Sequence, residues 1–359
     1  MRIVILCKRR PQNKDLWVIP HGRFFHLAKY LAQAGHEVEL VLLNYRREPE
    51  FSSERDGFVW HSVNLLPNPA SIYLLVRRLV HLRKADWFIG FSDTWFGILA
   101  VVLAKKYKAK VLVDAYDNYE SYMPWCKPLH WLWRWALCQA NALTAPGRYL
   151  LTKMIGNHRE PLLSAVIPMA ADARFVPADK DAARRELDLP IDKKLIGYCG
   201  SAHSTRDMTT FFNAIRLLAS RHPEYAFVMT GRVYSDMTLP QQVIHLGYLS
   251  EEKMPIMINA LDVMVSVNRP SDFGSYSYPV KLYEAMACGI PVVASETPSV
   301  AEVLGKNNDA LVPPEDASAL AGRLEEILDT PHFVKPPRHE GWAVIAARLE
   351  TLLRQGVSQ

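Results

Sequence analysis

The chain is poor in devices that staple or anchor a protein. Its five cysteines, Cys7, Cys126, Cys138, Cys199 and Cys288, are odd in number, scattered, and never spaced as Cys-x-x-Cys, which argues against a disulfide framework or structural zinc. No apolar run approaches the roughly 20 residues needed to span a bilayer. The stretch 96–103 is short and is followed by Lys105-Lys106. Residues 1–7 form too brief an apolar run for a signal peptide and meet Lys8-Arg9-Arg10 at once, the pattern of a first strand. No nucleic-acid-binding module is recognisable. These absences fit a reducing cytoplasm, with any membrane contact peripheral.

At 359 residues, 49% apolar and 22% charged, the chain is long enough for two domains with full cores. The net charge of +5 hides an asymmetry: residues 1–170 carry 23 Lys and Arg against 13 Asp and Glu, and the remainder 19 against 24, leaving the halves at +10 and −5. A basic N-terminal half suits an anionic lipid surface or an anionic acceptor. Nucleic acid is the competing reading, and no module supports it.

Short apolar runs at 3–6, 38–43, 87–91, 110–115, 141–146, 195–200, 226–231, 243–249 and 261–267 alternate with helical patterns such as 23–34, 95–107 and 208–220. Such alternation predicts parallel sheets in an α/β fold. Ligands then bind beyond the carboxyl ends of the strands, where Ser92-Asp93, Asp114, Tyr116 and Asp117 fall. Asp117 fits a helix cap equally well. His21 precedes the first helix in a loop, where a histidine either touches a ligand or is simply solvated.

Two stretches carry a surface signal. Residues 72–83 mix apolar and basic groups at helical spacing, which fits a helix lying on anionic lipid or one packed on the core with a solvated rear. Between 121 and 136 stand Trp125, Trp131, Trp133 and Trp135 among Lys127, His130 and Arg134. Tryptophans two apart cannot share one helix face, so not all of these are core. Membrane interface, carbohydrate stacking and interdomain packing remain open for the others.

The organising stretch is 277–295. Pro279 suits the first turn of a helix, 281–287 is rich in helix formers, Gly289 sits where a helix stops, and 290–294 reads as a buried strand. The helix N-terminus then faces the ligand side of the sheet, behind the polar loop 268–276. Glu284 on this helix can accept two hydrogen bonds from a ribose diol; the plainer reading is a glutamate stabilised by the helix dipole.

Lys281-Leu282-Tyr283-Glu284-Ala285-Met286-Ala287-Cys288-Gly289-Ile290-Pro291-Val292-Val293-Ala294-Ser295 resembles the nucleotide-binding signature of retaining glycosyltransferases with the GT-B fold. His21-Gly22-Arg23 with Gly35-His36-Glu37-Val38 resembles the opening βαβ unit of the same family, and 166–175 its crossing between domains. The resemblance implies an α/β protein of two Rossmann-like domains facing across a cleft: 1–170 binding acceptor, 171–330 binding donor, and 331–359 a helix crossing back to the first domain. It implies transfer of a sugar, with retention, from a nucleotide-sugar donor to a glycan or lipid-linked acceptor, in cell-surface polysaccharide or glycolipid synthesis; the basic N-terminal half adds an anionic membrane surface as an expected partner.

The same resemblance assigns donor contacts to Gly22, Gly200, Arg206, Gly274, Tyr276, Lys281 and Glu284, and catalytic positions to Arg206, Asp117 and His21. His203 would supplement Arg206 at the diphosphate. In the family's Glu-x7-Glu pattern Glu284 is the second glutamate, and Tyr276 stands where the first belongs. No Asp-x-Asp occupies a suitable loop, so no metal or other cofactor is expected, the leaving diphosphate being neutralised by cationic side chains and helix dipoles. Two alternatives accompany this reading: an inactive nucleotide-sugar-binding pseudo-transferase, motivated by Tyr276, and a nucleotide-sugar epimerase on the same fold.

Overall fold

The computed structural model describes residues 1–11, 14–65, 85–156, 163–203, 206–306, 308–329 and 340–357. The basic amphipathic pattern at 72–83 lies outside them. The chain divides into two compact units: one comprises residues 1–169 and 340–359, the other 170–339.

In the first unit the strands are β1 (Arg2–Lys8), β2 (Glu37–Asn44), β3 (Phe51–Arg55), β4 (Phe58–Asn64), β5 (Trp87–Gly90), β6 (Lys110–Asp114), β7 (Ala142–Ala145) and β8 (Leu163–Val166). They lie in the order β3-β4-β2-β1-β5-β6-β7-β8, all parallel except the β3–β4 hairpin. The helices are α1 (Gly22–Gln33), α2 (Thr94–Tyr107), α3 (Lys127–Gln139) and α4 (Arg148–Ile155). Ile3, Val4, Ile5 and Leu6 are all fully buried, because helices cover both faces of a parallel sheet and its central strands need no polar side.

The second unit builds a six-stranded parallel sheet from β9 (Lys194–Cys199), β10 (Tyr225–Thr230), β11 (Val243–His245), β12 (Val263–Ser266), β13 (Val292–Ser295) and β14 (Leu311–Val312), ordered β11-β10-β9-β12-β13-β14. Its helices are α5 (Lys180–Glu186), α6 (Met208–Arg221), α7 (Lys253–Asn259), α8 (Val280–Ala287), α9 (Pro298–Leu304) and α10 (Ala317–Asp329). The core joins Phe211, Ile215 and Leu218 of α6 to Phe227, Val263 and Val265 of the sheet and Leu320 and Leu324 of α10.

The α8–β13 turn shows how local sequence sets this geometry. Pro279 is the N-cap of α8 rather than its first residue. At the other end Gly289 takes φ +74°, its N–H donates to Met286 O, and Ile290 N–H donates to Ala285 O. This left-handed exit satisfies two carbonyls at the helix end and returns the chain into β13 within a few residues.

The last helix, α11 (Trp342–Val357), belongs to the first unit. His26 of α1 stacks on Trp342 at 5.2 Å, His36 Nε2 lies 3.0 Å from Glu350 Oε1, and Lys110 Nζ donates to Gly356 O. A Cβ on Gly356 would come within 2.4 Å of the Trp87 ring, so a larger residue there would push α11 off β5.

Candidate functional site

In the second unit the sequence leaves β9 to form β10 on one side and later β12 on the other, so the order reverses between β9 and β12. Connections diverge there and open a crevice beyond the strand ends, the usual ligand position in parallel α/β sheets. The loop after β9 carries Arg206 and the loop after β12 carries Asn268, and the two meet: Arg206 Nη1 donates to Asn268 Oδ1 at 2.5 Å. Phe273 lies under the same guanidinium at 5.1 Å. Arg206 is thereby held in one orientation at the crevice while remaining only half-buried.

Asn268 is 1% exposed, and its Nδ2 has no hydrogen-bond partner. Nearby on α8, Lys281 Nζ lies 2.7 Å from Glu284 Oε2. Beyond this ion pair that buried oxygen has no hydrogen-bond partner among the described residues, which leaves it with an unmet acceptor site. Seven buried side-chain polar atoms lack a hydrogen bond among the described residues, and three of them, on Asn268, Arg269 and Glu284, belong to this edge of the sheet. Native proteins rarely leave such groups unpaired, so their clustering marks a place where a polar ligand completes the bonding. Burial opposes the charge on Lys281, but the Glu284 carboxylate holds its ammonium above the usual lysine value. Cys199, at the end of β9, is pushed up to about 12 by burial and stays a neutral thiol.

Close backbone approach shapes the same edge. Gly231, after β10, has φ +91°, and a Cβ there would come within 2.5 Å of Gly200 O, so the two strand ends abut directly. Gly274, in the turn Gly274–Tyr276, sits against the Arg269 carbonyl, which a Cβ would approach to 2.0 Å. Ser299 Oγ donates to Ser277 O at 2.7 Å and Tyr278 Oη to Glu302 Oε2 at 2.6 Å, tying the loop before α8 to α9. Half-buried Tyr276 closes that turn, its N–H donating to Phe273 O. Asp207 accepts from Glu315 N–H at 2.9 Å, and His203 packs edge-on against Tyr234 at 4.8 Å. Gly200, Arg206, Gly274, Tyr276, Lys281 and Glu284 thus occupy loops and a helix start at the C-terminal edge of one sheet.

His21, Gly22 and Asp117 belong to the first unit, at the corresponding edge of its own sheet. His21 is the N-cap of α1, and its Nδ1–H donates to Ile19 O at 2.7 Å. Gly22 has φ +66°, and no atom of the described residues lies within 4 Å of a Cβ position there, so the backbone at the start of α1 is open on that side. Asp117 Oδ2 accepts from Tyr122 Oη at 2.6 Å. Burial and then the charges of Asp117 and Asp93 push the Tyr116 hydroxyl above its ordinary value. Ser92, buried with φ +80°, bonds Lys8 N–H through Oγ at 3.2 Å across the β1–β5 divergence, where backbone strain is often kept for a functional reason.

One strand-end carboxylate is not available to a ligand. Asp114 is 1% exposed and gives both oxygens to Arg23, with Thr144 Oγ1 as a third donor. Its role is to anchor α1, because a buried carboxylate left without its arginine would be strongly disfavoured. Conversely, Asn268 emerges as a site residue that the sequence marked only as the first member of a ligand-side loop. Its position immediately beyond a strand was the available signal.

Residues 21–170 match a family described as "Glycosyl transferase 4-like domain", and residues 193–330 one described as "Glycosyl transferases group 1". A curated relative, the 2-deoxystreptamine glucosyltransferase of Streptomyces kanamyceticus, is 24% identical over 215 residues, 55% of this chain and 54% of that protein. The chain therefore spans about half the length of this relative. Among solved structures, sucrose-phosphate synthase from Thermosynechococcus elongatus superposes with a TM-score of 0.78 at 17% identity, covering 100% of this chain and 99% of that one. HepE of Anabaena in complex with UDP-glucose gives 0.70 at 15%, covering 100% and 98%. These two likenesses establish the fold, α/β with two parallel-sheet domains of the GT-B type. With the two family matches spanning about four-fifths of its length, the chain belongs to the group 1 and 4-like glycosyltransferases.

Proposed function

We propose that this protein transfers a sugar from a nucleotide-sugar donor to a glycan or lipid-linked acceptor, with retention at the anomeric carbon and without a metal. The observation that carries the reading is the clustering of unmet polar atoms on Asn268 and Glu284 beside the fixed Arg206 guanidinium, at the divergence of β9 and β12. A nucleoside diphosphate fits those groups by chemistry: a carboxylate accepts from a ribose diol, and a guanidinium donates to phosphate oxygens. HepE binding UDP-glucose on the same fold supports a nucleotide-sugar of this general kind.

In the transfer, charge grows on the leaving diphosphate as its bond to the sugar breaks. Arg206 and the N–H groups at the start of α6 are placed to stabilise that charge, and Lys281 adds a further cation close by. Among the described residues no cluster of three or more His, Cys, Asp or Glu is suited to a metal ion. The acceptor is assigned to the first unit, where His21, Gly22 and Asp117 line the C-terminal edge of the sheet. Front-face transfer lets the leaving phosphate take the acceptor proton, which accounts for a site with no dedicated nucleophile. The basic first unit adds an anionic membrane surface as partner, and polysaccharide or glycolipid synthesis as the setting.

The deciding experiment incubates purified protein with UDP-, GDP-, ADP- and CMP-sugars and an acceptor library, and assigns the product anomer by NMR. Net transfer with the donor's anomeric configuration kept supports the proposal. Binding without turnover would indicate a pseudo-transferase, and conversion of the donor into an epimer without acceptor would indicate an epimerase.

A further inference from the structure

Helices α2 and α3 pack together through a missing side chain: a Cβ on Gly97 would come within 2.7 Å of the Trp133 ring. Trp133 is consequently core, at 4% exposure, while its neighbours two positions away point outward. Trp125 is 76% exposed, Trp131 69%, Leu132 45% and Trp135 37%. Isolated exposed apolar residues need no explanation, but three on one short helix, with Trp125 in the turn just before it, form a patch that water disfavours.

The patch continues onto α2. Trp95 and Val102, seven residues apart and hence on one helix face, are 42% and 40% exposed, and that stripe ends at Lys105 and Lys106. Lys105 joins the two helices: its Nζ lies 5.1 Å from the centre of the Trp135 ring and donates to Gln139 Oε1 at 2.5 Å.

Charge indicates what covers this face. Neither α2 nor α3 contains an Asp or Glu, whereas together they carry Lys105, Lys106, Lys127 and Arg134. Arg134 is held by Glu120 in a two-bond pair, leaving the three lysines as the rim. An apolar surface rich in indole, rimmed by charge of one sign, matches the headgroup region of an anionic bilayer: indole prefers the membrane–water boundary, and each basic residue near such a surface contributes favourably.

We propose that the exposed face of α3, continued by the Trp95–Val102 stripe of α2, docks on an anionic phospholipid bilayer. Trp125 and Trp131 enter the headgroup layer, and Lys105, Lys106 and Lys127 meet the phosphates. The inference deepens the membrane reading above and gives it an address. No described helix is long and apolar enough to cross a membrane, so the contact is with the surface.

The test uses the full chain with phosphatidylcholine vesicles containing or lacking phosphatidylglycerol. Binding is read by co-sedimentation and by quenching of tryptophan emission with brominated acyl chains. The protein should bind the anionic vesicles, and Trp125→Ser with Trp131→Ser should weaken binding at least tenfold and abolish most quenching. Both side chains are exposed, so folding should survive, which the melting temperature checks. Absence of binding by the parent protein, undiminished binding by the variant, or equal binding to neutral vesicles would overturn the proposal. So would a parent dimer that the double variant dissolves, because a second copy would then be the occupant. Stabilisation by nucleotide-sugar is measured on the same samples: lost donor response with intact vesicle binding counts against the donor site alone, and the converse against docking alone.

Discussion

Arg23 and Asp114 meet 91 positions apart in sequence as a two-bond pair, Nε to Oδ1 at 2.9 Å and Nη2 to Oδ2 at 2.5 Å. Both side chains are 1% exposed. Arg23 Nη1 also donates to Ile167 O and Pro168 O, so one guanidinium joins the start of α1, the end of β6 and the segment just after β8. The residue after Gly22 is therefore fixed, and with it the start of α1. Removing one partner leaves the other charge buried and alone. Asp114→Asn should cost about 3–5 kcal/mol in denaturant unfolding, the scale for breaking a buried pair. A cost below about 1 kcal/mol would place the pair among the dispensable contacts.

Arg206→Ala should lower kcat/KM by a factor equivalent to about 2.7–4 kcal/mol, the effect of losing one preorganised charge stabiliser. Arg206→Lys should recover little, because an ammonium cannot bond Asn268 and a phosphate in the guanidinium's fixed plane. Steady-state kinetics with one donor suffices, and transfer at the parent rate by the alanine variant would show that the diphosphate site has been placed on the wrong loop.

The ionic contact between Lys281 and Glu284 makes a specific claim about coupling. If the two act as one unit on the donor, the double variant Lys281→Met with Glu284→Gln should weaken donor binding by less than the sum of the single losses. Strict additivity in a calorimetric cycle would mean that each meets the donor separately.

Gly274→Ala should abolish donor binding while leaving the melting temperature of the unliganded protein within a few degrees. The added methyl meets the Arg269 carbonyl, a backbone atom that can move only if the loop before α8 moves with it. Unaltered donor affinity would mean that this loop is not at the donor.

Acid should unfold both units through carboxylates whose values are depressed. Burial pushes the Glu39 carboxyl upward, but His61 and Arg2 outweigh it and hold the group below the ordinary range. Asp262 likewise stays low against burial through Lys180, the Leu195 N–H and Arg184. A depressed folded value gives stability that is present above the unfolded value, about 4 for these groups, and lost as pH falls through the folded one. Urea unfolding from pH 6 downward should show that loss, and Glu39→Gln should flatten it. An unchanged slope in the variant would contradict the assignment.

Much of the α/β alternation was legible because parallel strands are buried on both faces and read as apolar runs. The α8–β13 turn was readable from Pro279, Gly289 and Pro291, which act through local backbone geometry. The β3–β4 hairpin escaped, although Asp56-Gly57, with φ +58° and +83°, is a recognisable turn pair. Asp114 looked like a cleft carboxylate because nothing local reveals an arginine 91 residues away. The alternation of Trp131, Trp133 and Trp135 implied opposite helix faces, yet which one is core depends on the space that Gly97 leaves in another helix. Asn268 was legible only as the first residue of a ligand-side loop for a similar reason, since its own significance lies in Arg206 and an unpartnered amide nitrogen, both set by tertiary structure.

A nucleotide-sugar site on the second unit completed by Glu284 is tested most directly by a donor titration of the parent and Glu284→Ala proteins. A ligand that binds only the folded state raises stability with the logarithm of its concentration over Kd. One base among UDP, GDP, ADP and CMP should therefore raise the parent's melting temperature, and Glu284→Ala should weaken that donor by about 1.5–3 kcal/mol, the scale for hydrogen bonds to a charged group. No shift with any nucleotide-sugar, or equal affinity in the two proteins, would contradict the account.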